Sequence, residues 1–481
     1  MKFVNRTEEL GELEKWWSKT GARLGLVWGR RRVGKTLLLQ RFAKGRRRTM
    51  YHTFAGRSAA DELAVLSRTW RGERRSTRQS STWDLPSDSW TNFLAGLARE
   101  ARAEPLLLIL DEFQEGVAAI PELPGLIRAL WDDRSGRGKL RILLCGSAMR
   151  TMEAMQEERA PLYGRFDVRL LIHPFQPHEA ALMLPKLHPY DRAVVWGLVG
   201  GMPPYLDCWD QSADIETNLQ ELFLSPAGRL LLEGDLALRG EMLADLEVSV
   251  LHAIALGHTQ YHEIQNSLHS EPSRQLERLM ELRLVERVQP VTESGSRSRR
   301  RTYRIADNFL AFWLGQIMPH RASIDRGLGF AVGDAFVRPS LRDFLGPRWE
   351  EAFRIYLRRR AASGEFGPVV AVGPFWSHER PAADGSVVDT EIDAVMLAGR
   401  SREAVLVGEA KLRRVVDARP LVAALERKAE RLPRRADTLR YAVAAPLEVT
   451  NAPRGVLTVT ADDIFGIRGE KRKKRPTYVI E

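Results

Sequence analysis

A chain of 481 residues with 44% apolar content is long enough for about three folded units at the usual ~150 residues per domain, which excludes a disordered chain and a small disulfide-stapled one. The net charge of +11 favours a polyanionic partner, nucleic acid first, because a basic surface attracts phosphate whatever the base sequence. Only Cys145 and Cys208 are present and no apolar run approaches the roughly 18 residues of a membrane span, so a cytoplasmic protein without a membrane partner is expected.

The first predicted elements are a short apolar strand, Leu24 to Trp28, a glycine-bearing loop, and a helix running through Leu37 to Ala43. The stretch Gly56 to Ser89 is polar, rich in Arg and Ser and contains Pro86, which predicts a loop or insertion over part of it. Leu106 to Leu110 and, apart from Arg141, Leu140 to Cys145 are apolar runs, as expected of central parallel strands covered on both faces. Their alternation with helical segments predicts a doubly wound α/β domain over residues 1–173. Residues 174–242 read as helical. Over 243–318, three helical patterns (Leu246 to Ala255, Tyr261 to Leu268, Ser273 to Leu282) lead into a hairpin from Leu284 to Ala306, which predicts a winged helix. A looser connection containing Gly and Pro then leads to a last unit over 347–465.

The loop Gly29-Arg30-Arg31-Arg32-Val33-Gly34-Lys35-Thr36, followed by Leu37, fits G-x-x-x-x-G-K-[ST] in full. Gly29 and Gly34 permit a backbone path that turns N–H groups toward phosphate, Lys35 brings a charge to the β- and γ-phosphates, and the Thr36 hydroxyl ligates Mg²⁺. ATP and Mg²⁺ are therefore the expected cofactors. Asp111-Glu112 follows five apolar residues, so both acids emerge at the carboxyl end of a buried strand: Asp111 for Mg²⁺, Glu112 as the base that polarises water. Another strand ends at Gly146-Ser147, where Ser147 is placed to report the γ-phosphate.

Two basic features and one acidic one lie further along. The tip Ser294 to Arg301 carries several arginines, and Arg274 and Arg278 stand four apart on the third helix; DNA contact and internal packing both remain open for this module. The tail Lys471 to Arg475 is basic and reads as a solvated terminus. Candidate strands at Val388 to Val395 and Ala404 to Lys411 carry Asp393 and Glu409-x-Lys411, which on alternating side chains gives a divalent-metal pair, Asp393 and Glu409, with Lys411 beside it to orient or deprotonate water.

Phe3 to Leu10, Gly29 to Thr36, Leu110-Asp111-Glu112, Cys145-Gly146-Ser147, Pro161 to Arg165 and Gly200 to Pro203 occur in the order of the archaeal-type prokaryotic ATPases, a family close to AAA+ and STAND NTPases, and the chain resembles that family from end to end. The resemblance implies a P-loop ATPase with a helical lid, a winged helix and a C-terminal α/β domain similar to the PD-(D/E)XK restriction-endonuclease core. It implies that Arg6 lies near the adenine, that Arg165 acts as a sensor or finger in its own or a neighbouring subunit, and that Gly200 to Pro203 closes on the nucleotide. Trp349-Glu350-Glu351 resembles the first helix of the nuclease core, with Glu350 preferred and Glu351 the alternative for the further carboxylate, and a helix is expected over Leu421 to Leu432. Asn5 departs from the family's usual Gly, and Glu391-Ile392 from its frequent Pro. DNA-directed nuclease activity under ATP control is the first expectation; a nucleotide-switched binding or signalling ATPase with a silent C-terminal domain is the alternative, and homo-oligomerisation stays open.

Overall fold

The computed structural model describes residues 3–76, 89–133, 136–293, 300–379, 388–467 and 469. The chain divides into two compact units, Met1–Pro174 and Phe175–Glu481.

The first unit is built on a five-stranded parallel sheet of β1 (Arg23–Trp28), β2 (Thr49–Thr53), β3 (Leu106–Asp111), β4 (Leu140–Gly146) and β5 (Val168–Leu171), in the order β2-β3-β4-β1-β5. Every residue of β3 and β4 is buried, which is why β3 reads as an unbroken Leu and Ile run and β4 as an apolar run broken only by Arg141, whose guanidinium donates to the Lys19 carbonyl. Register places Trp28 opposite Gly146 and Leu110 opposite Leu144, so the loops leaving β1, β3 and β4 open along one edge of the sheet. β4 lies between the strand that feeds the glycine loop and the strand that ends in Asp111. The polar stretch after Gly56 is not a loop at its start. It forms a helix, Ala59–Ser76, because Leu63 and Leu66 share a face and are buried, a spacing that the density of Arg and Ser conceals. Residues 77–88 lie outside the described residues.

The second unit opens with short helices that include Pro189–Val199 and Arg229–Gly240. Gly200 ends the first of these with φ 67°, and a side chain on Gly201 would meet the Phe175 carbonyl oxygen at 1.9 Å, so this Gly pair fits its own close turn. Three helices follow, Asp245–Ala255, Tyr261–Leu268 and Ser273–Glu281, then an antiparallel hairpin of β6 (Val285–Val288) and β7 (Thr302–Ile305). The expected loose connection is instead helical. Short segments from Asn308 lead into a helix of 25 residues, Arg338–Ala362, and the boundary expected at Pro347 falls inside it. Proline there forfeits one backbone hydrogen bond, a cost the helix absorbs through its buried face of Leu345, Trp349, Ala352 and Phe353.

A second sheet has the order β14-β12-β10-β9-β8, from β8 (Val369–Glu379), β9 (Val388–Ala398), β10 (Glu403–Ala410), β12 (Arg435–Ala444) and β14 (Leu457–Val459); β11 (Val415–Asp417) and β13 (Glu448–Thr450) form a small parallel pair beside it. β8, β9 and β10 are antiparallel neighbours, whereas β10, β12 and β14 run parallel. The helix Ala418–Ala429, a few residues earlier than expected, makes the crossover from β10 to β12. The long helix packs on this sheet: a Cβ on Gly408 would sit 2.8 Å from the Phe353 ring. The hairpin module is tied on as well, with the Val291 amide donating to the Pro374 carbonyl at 2.8 Å and Arg304 bonding Glu351 of the long helix at 3.0 Å.

Candidate nucleotide site and C-terminal acid cluster

The glycine loop leaves β1 and ends at the helix Lys35–Ala43. Gly29 admits no side chain, since its Cβ would lie 2.4 Å from the Ile172 carbonyl oxygen, and Gly34 turns the chain into the helix with φ 97°. Lys35 is buried and donates to the carbonyls of Gly29 and Arg30, both at 2.9 Å, so its ammonium sits in the concavity of its own loop. Arg31 and Arg32 are exposed on that loop, Val33 is buried and Leu37 half-buried.

The Thr36 hydroxyl donates to Asp111 Oδ2 at 2.9 Å, and so does the Tyr51 hydroxyl at 2.7 Å. Burial and the neighbouring carboxylate push the Tyr51 phenol far up, which keeps it a donor. Glu112 follows with φ 50° and takes two donors on one oxygen: the Ser147 hydroxyl at 2.9 Å and the Gln114 amide. Thus Lys35, Thr36, Asp111, Glu112 and Ser147, taken from three strand ends, converge at one edge of the sheet. Tyr51 and Gln114 join them, and sequence reasoning missed both, since a Tyr inside a strand and a Gln inside a short helix carry no spacing signal.

Arg6 and Arg165 lie otherwise. The Arg6 guanidinium is buried, pairs with Glu9 at 2.8 Å and donates to the carbonyls of Val33 and His173 at 2.9 and 2.8 Å, so it clamps the glycine loop to the segment after β5. Arg165 forms a fork on Asp132, with bonds of 2.9 to 3.2 Å, and reaches the carbonyls of Pro161 and Tyr163. Its bonds to Asp132 hold that carboxyl below its usual range, and none of these partners belongs to the glycine loop.

With this geometry in view, residues 3–208 match the profile of an ATPase domain found predominantly in Archaea. The chain belongs to this ATPase family. Residues 313–422 match a second profile, described as archaeal and bacterial proteins of unknown function. An uncharacterized ATP-binding protein of Methanocaldococcus jannaschii is 49% identical over 45 residues, 9% of this chain and 76% of that one. An uncharacterized protein of the same organism is 27% identical over 365 residues, 74% of this chain and 77% of its own length. Among solved structures, a Walker-type ATPase of Pyrococcus abyssi aligns with TM-score 0.49 and 23% identity over 65% of this chain and 96% of its own. The matched region contains the five-stranded parallel sheet and the glycine loop, and no helix of the described residues is long and apolar enough to cross a membrane.

Outside the ATPase domain, β9, β10 and the long helix bring a second set of charges together. Asp393 and Glu409 are both buried; Asp393 Oδ2 accepts the Ala410 amide at 2.8 Å. Burial, with Glu409 beside it, pushes Asp393 up to about 6; burial and Asp393 push Glu350 up to about 7. Glu409 bonds Lys411 at 2.6 Å through one oxygen and Lys428 at 2.9 Å through the other. Lys428, from the crossover helix, was not anticipated. Glu350 therefore shares this cluster, while Glu351 is bonded by Arg304, Arg354 and Arg358 at 2.8 to 3.0 Å. Burial alone would raise Glu351, but the three guanidinium groups outweigh it and hold the carboxyl well below its usual range. Arg354 in turn donates to the Asp393 carbonyl at 2.7 Å.

The basic features have a different fate. Arg278 is paired with Glu247 at 3.0 Å and donates to the Met242 carbonyl, so the arginine pair expected on the third helix is reduced to Arg274 at the surface. Arg300 bonds Glu293 and the Trp376 carbonyl, whereas residues 294–299 and the tail from Lys471 to Arg475 lie outside the described residues.

Proposed function

We propose that the protein binds and hydrolyses ATP at the phosphate loop and uses the nucleotide cycle to control its second unit. The observation that carries this reading is the convergence of Lys35, Thr36, Asp111, Glu112 and Ser147. The loop amides and Lys35 would cradle the phosphates, Lys35 leaving the carbonyls of Gly29 and Arg30 to do so. Thr36 and Asp111 present hard oxygens 2.9 Å apart, which fits Mg²⁺ with the hydroxyl as ligand and the carboxylate outside it. That ion would supply charge neutralisation at the phosphates. Glu112 would take the proton of the attacking water, and Ser147, bonded to that carboxylate at 2.9 Å, would turn to the developing phosphate charge. Hydrolysis that disappears in Lys35→Ala, while Glu112→Gln still binds ATP, is the expected outcome of a steady-state assay.

For the second unit, three helices with a hairpin support a winged helix, and the succession of long helix, β8, β9, β10, crossover helix and β12 supports a PD-(D/E)XK-like domain. Asp393, Glu409 and Lys411 would be the residues of that chemistry, and DNA is the substrate favoured by the net charge. The donor set does not fit a divalent ion as it stands. Lysines hold both Glu409 oxygens, and among the described residues no three His, Cys, Asp or Glu side chains gather for a metal. This lysine clamp favours the second reading, in which the nuclease-like domain is a silent module of a nucleotide switch. Incubating single- and double-stranded DNA with Mg²⁺, with and without ATP, separates the two: cutting lost in Asp393→Ala and Lys411→Ala supports the nuclease, and intact DNA beside active ATP hydrolysis supports the switch.

A further inference from the structure

We infer that Gln114 is a positioning residue of the ATPase site, whose side-chain amide aims Glu112 and ties it to Ser147; this rests on the hydrolytic reading of the first unit. Gln114 is 9% exposed, and its whole amide is engaged. Its oxygen accepts the Ser147 backbone N–H at 3.2 Å. That bond fixes which end of the amide is which, because an N–H must meet the oxygen, and so Nε2 faces Ser147 Oγ at 3.3 Å and the Glu112 carboxylate. Space for this is made by Gly146, where a Cβ would fall 2.5 Å from the Gln114 oxygen and 2.4 Å from Met152 Sδ. The glycine before Ser147 thus has a reason beyond the turn: a side chain there would force the amide or Met152 to shift.

Donor counting then separates the two partners of Glu112. Ser147 has one hydroxyl proton, which it donates to Glu112 Oε2 at 2.9 Å. If that proton turns to a γ-phosphate oxygen, Glu112 loses it. Gln114 cannot turn in the same way, since its oxygen is anchored to the Ser147 backbone and its nitrogen carries two protons, enough for Ser147 and Glu112 together. Gln114 is therefore the constant partner of Glu112 and Ser147 the exchangeable one. Glu112 itself sits in the left-handed region, φ 50°, at the N-terminal end of the helix Phe113–Ala119, so its backbone is equally committed.

The test uses the full chain, Mg²⁺ and ATP, with a fluorescent ATP analogue to read binding. Gln114→Ala lowers kcat by ~10–100-fold, part of what a positioned general base contributes, with nucleotide affinity unchanged within about twofold. Gln114→Glu keeps the shape but cannot donate when ionised; protonated, it regains an O–H for Glu112. Its kcat relative to the parent therefore rises several-fold as pH is lowered from about 8 to about 5, a change that a merely structural defect would not produce. A kcat for Gln114→Ala within about twofold of the parent overturns the inference, as does a Gln114→Glu ratio that stays flat with pH or a loss of nucleotide binding that matches the loss of kcat. Hydrolysis by the parent that survives Lys35→Ala removes the hydrolytic reading instead, and this inference falls with it.

Discussion

Lys35 spends its ammonium on the carbonyls of Gly29 and Arg30, two acceptors that a bound polyphosphate would replace. Lys35→Ala is accordingly expected to weaken ATP binding by at least ~10-fold, read by titration with a fluorescent analogue, since a point charge on the β- and γ-phosphates is lost. The second unit offers a proton-linked counterpart. Asp393 and Glu350 hold their protons up to about 6 and about 7, above the ~4 of unfolded carboxyls. Between those limits the folded chain binds more protons than the unfolded one, so this contribution to stability is greatest at low pH and is lost as pH rises. Urea midpoints at about pH 5 and about pH 8, in EDTA, should differ less in Asp393→Asn than in the parent; an unchanged difference contradicts the buried-acid assignment. At this scale the motif residues were legible because their chemistry demands a fixed spacing. Tyr51 and Lys428 were not, because each reaches its carboxylate from another part of the chain. Gln114, only two residues from Glu112, was not because its bonds to Ser147 depend on the fold. Arg6 bonds the distant Val33 and His173 carbonyls, as Arg165 bonds the distant Asp132, which no spacing announces.

Glu286, Arg304, Glu351, Arg354 and the Asp393 carbonyl form a continuous path from the hairpin through the long helix to β9. Hairpin and acid cluster are thus joined by charge-assisted bonds as well as by backbone. Glu351→Ala leaves three arginines without their shared carboxylate and is expected to cost about 3 kcal/mol, in the range for breaking a buried ion pair, by chemical denaturation. Gly408→Ala, pressed on the Phe353 ring, should cost about 1–3 kcal/mol, while Gly346→Ala on the same long helix, with open space around its Cβ, should not destabilise. Elements with a clean period or a largely apolar run were read within a few residues: β3, β4 and the three helices before the hairpin. The helices at Ala59–Ser76 and across 318–346 were not, because interspersed Arg, Ser, Gly and Pro obscure the few buried residues that set their period.

Across the whole molecule, each unit has its own sheet and its own cluster of functional side chains, the first at parallel strand ends, the second where β9, β10 and two helices meet. The order of motifs along the chain made the family legible, because nucleotide chemistry leaves little freedom in the phosphate loop and the acids after β3. The nuclease-like signature was legible as residues but not as a site: Glu409 carries two lysines, and only the folded chain brings Lys428 to it. The most direct test of the account is Mg²⁺-dependent ATP hydrolysis by the full chain beside Lys35→Ala and Glu112→Gln. The account predicts phosphate release by the parent alone, with ATP still bound by Glu112→Gln; release that persists in Lys35→Ala, or a parent that binds no ATP, would contradict it.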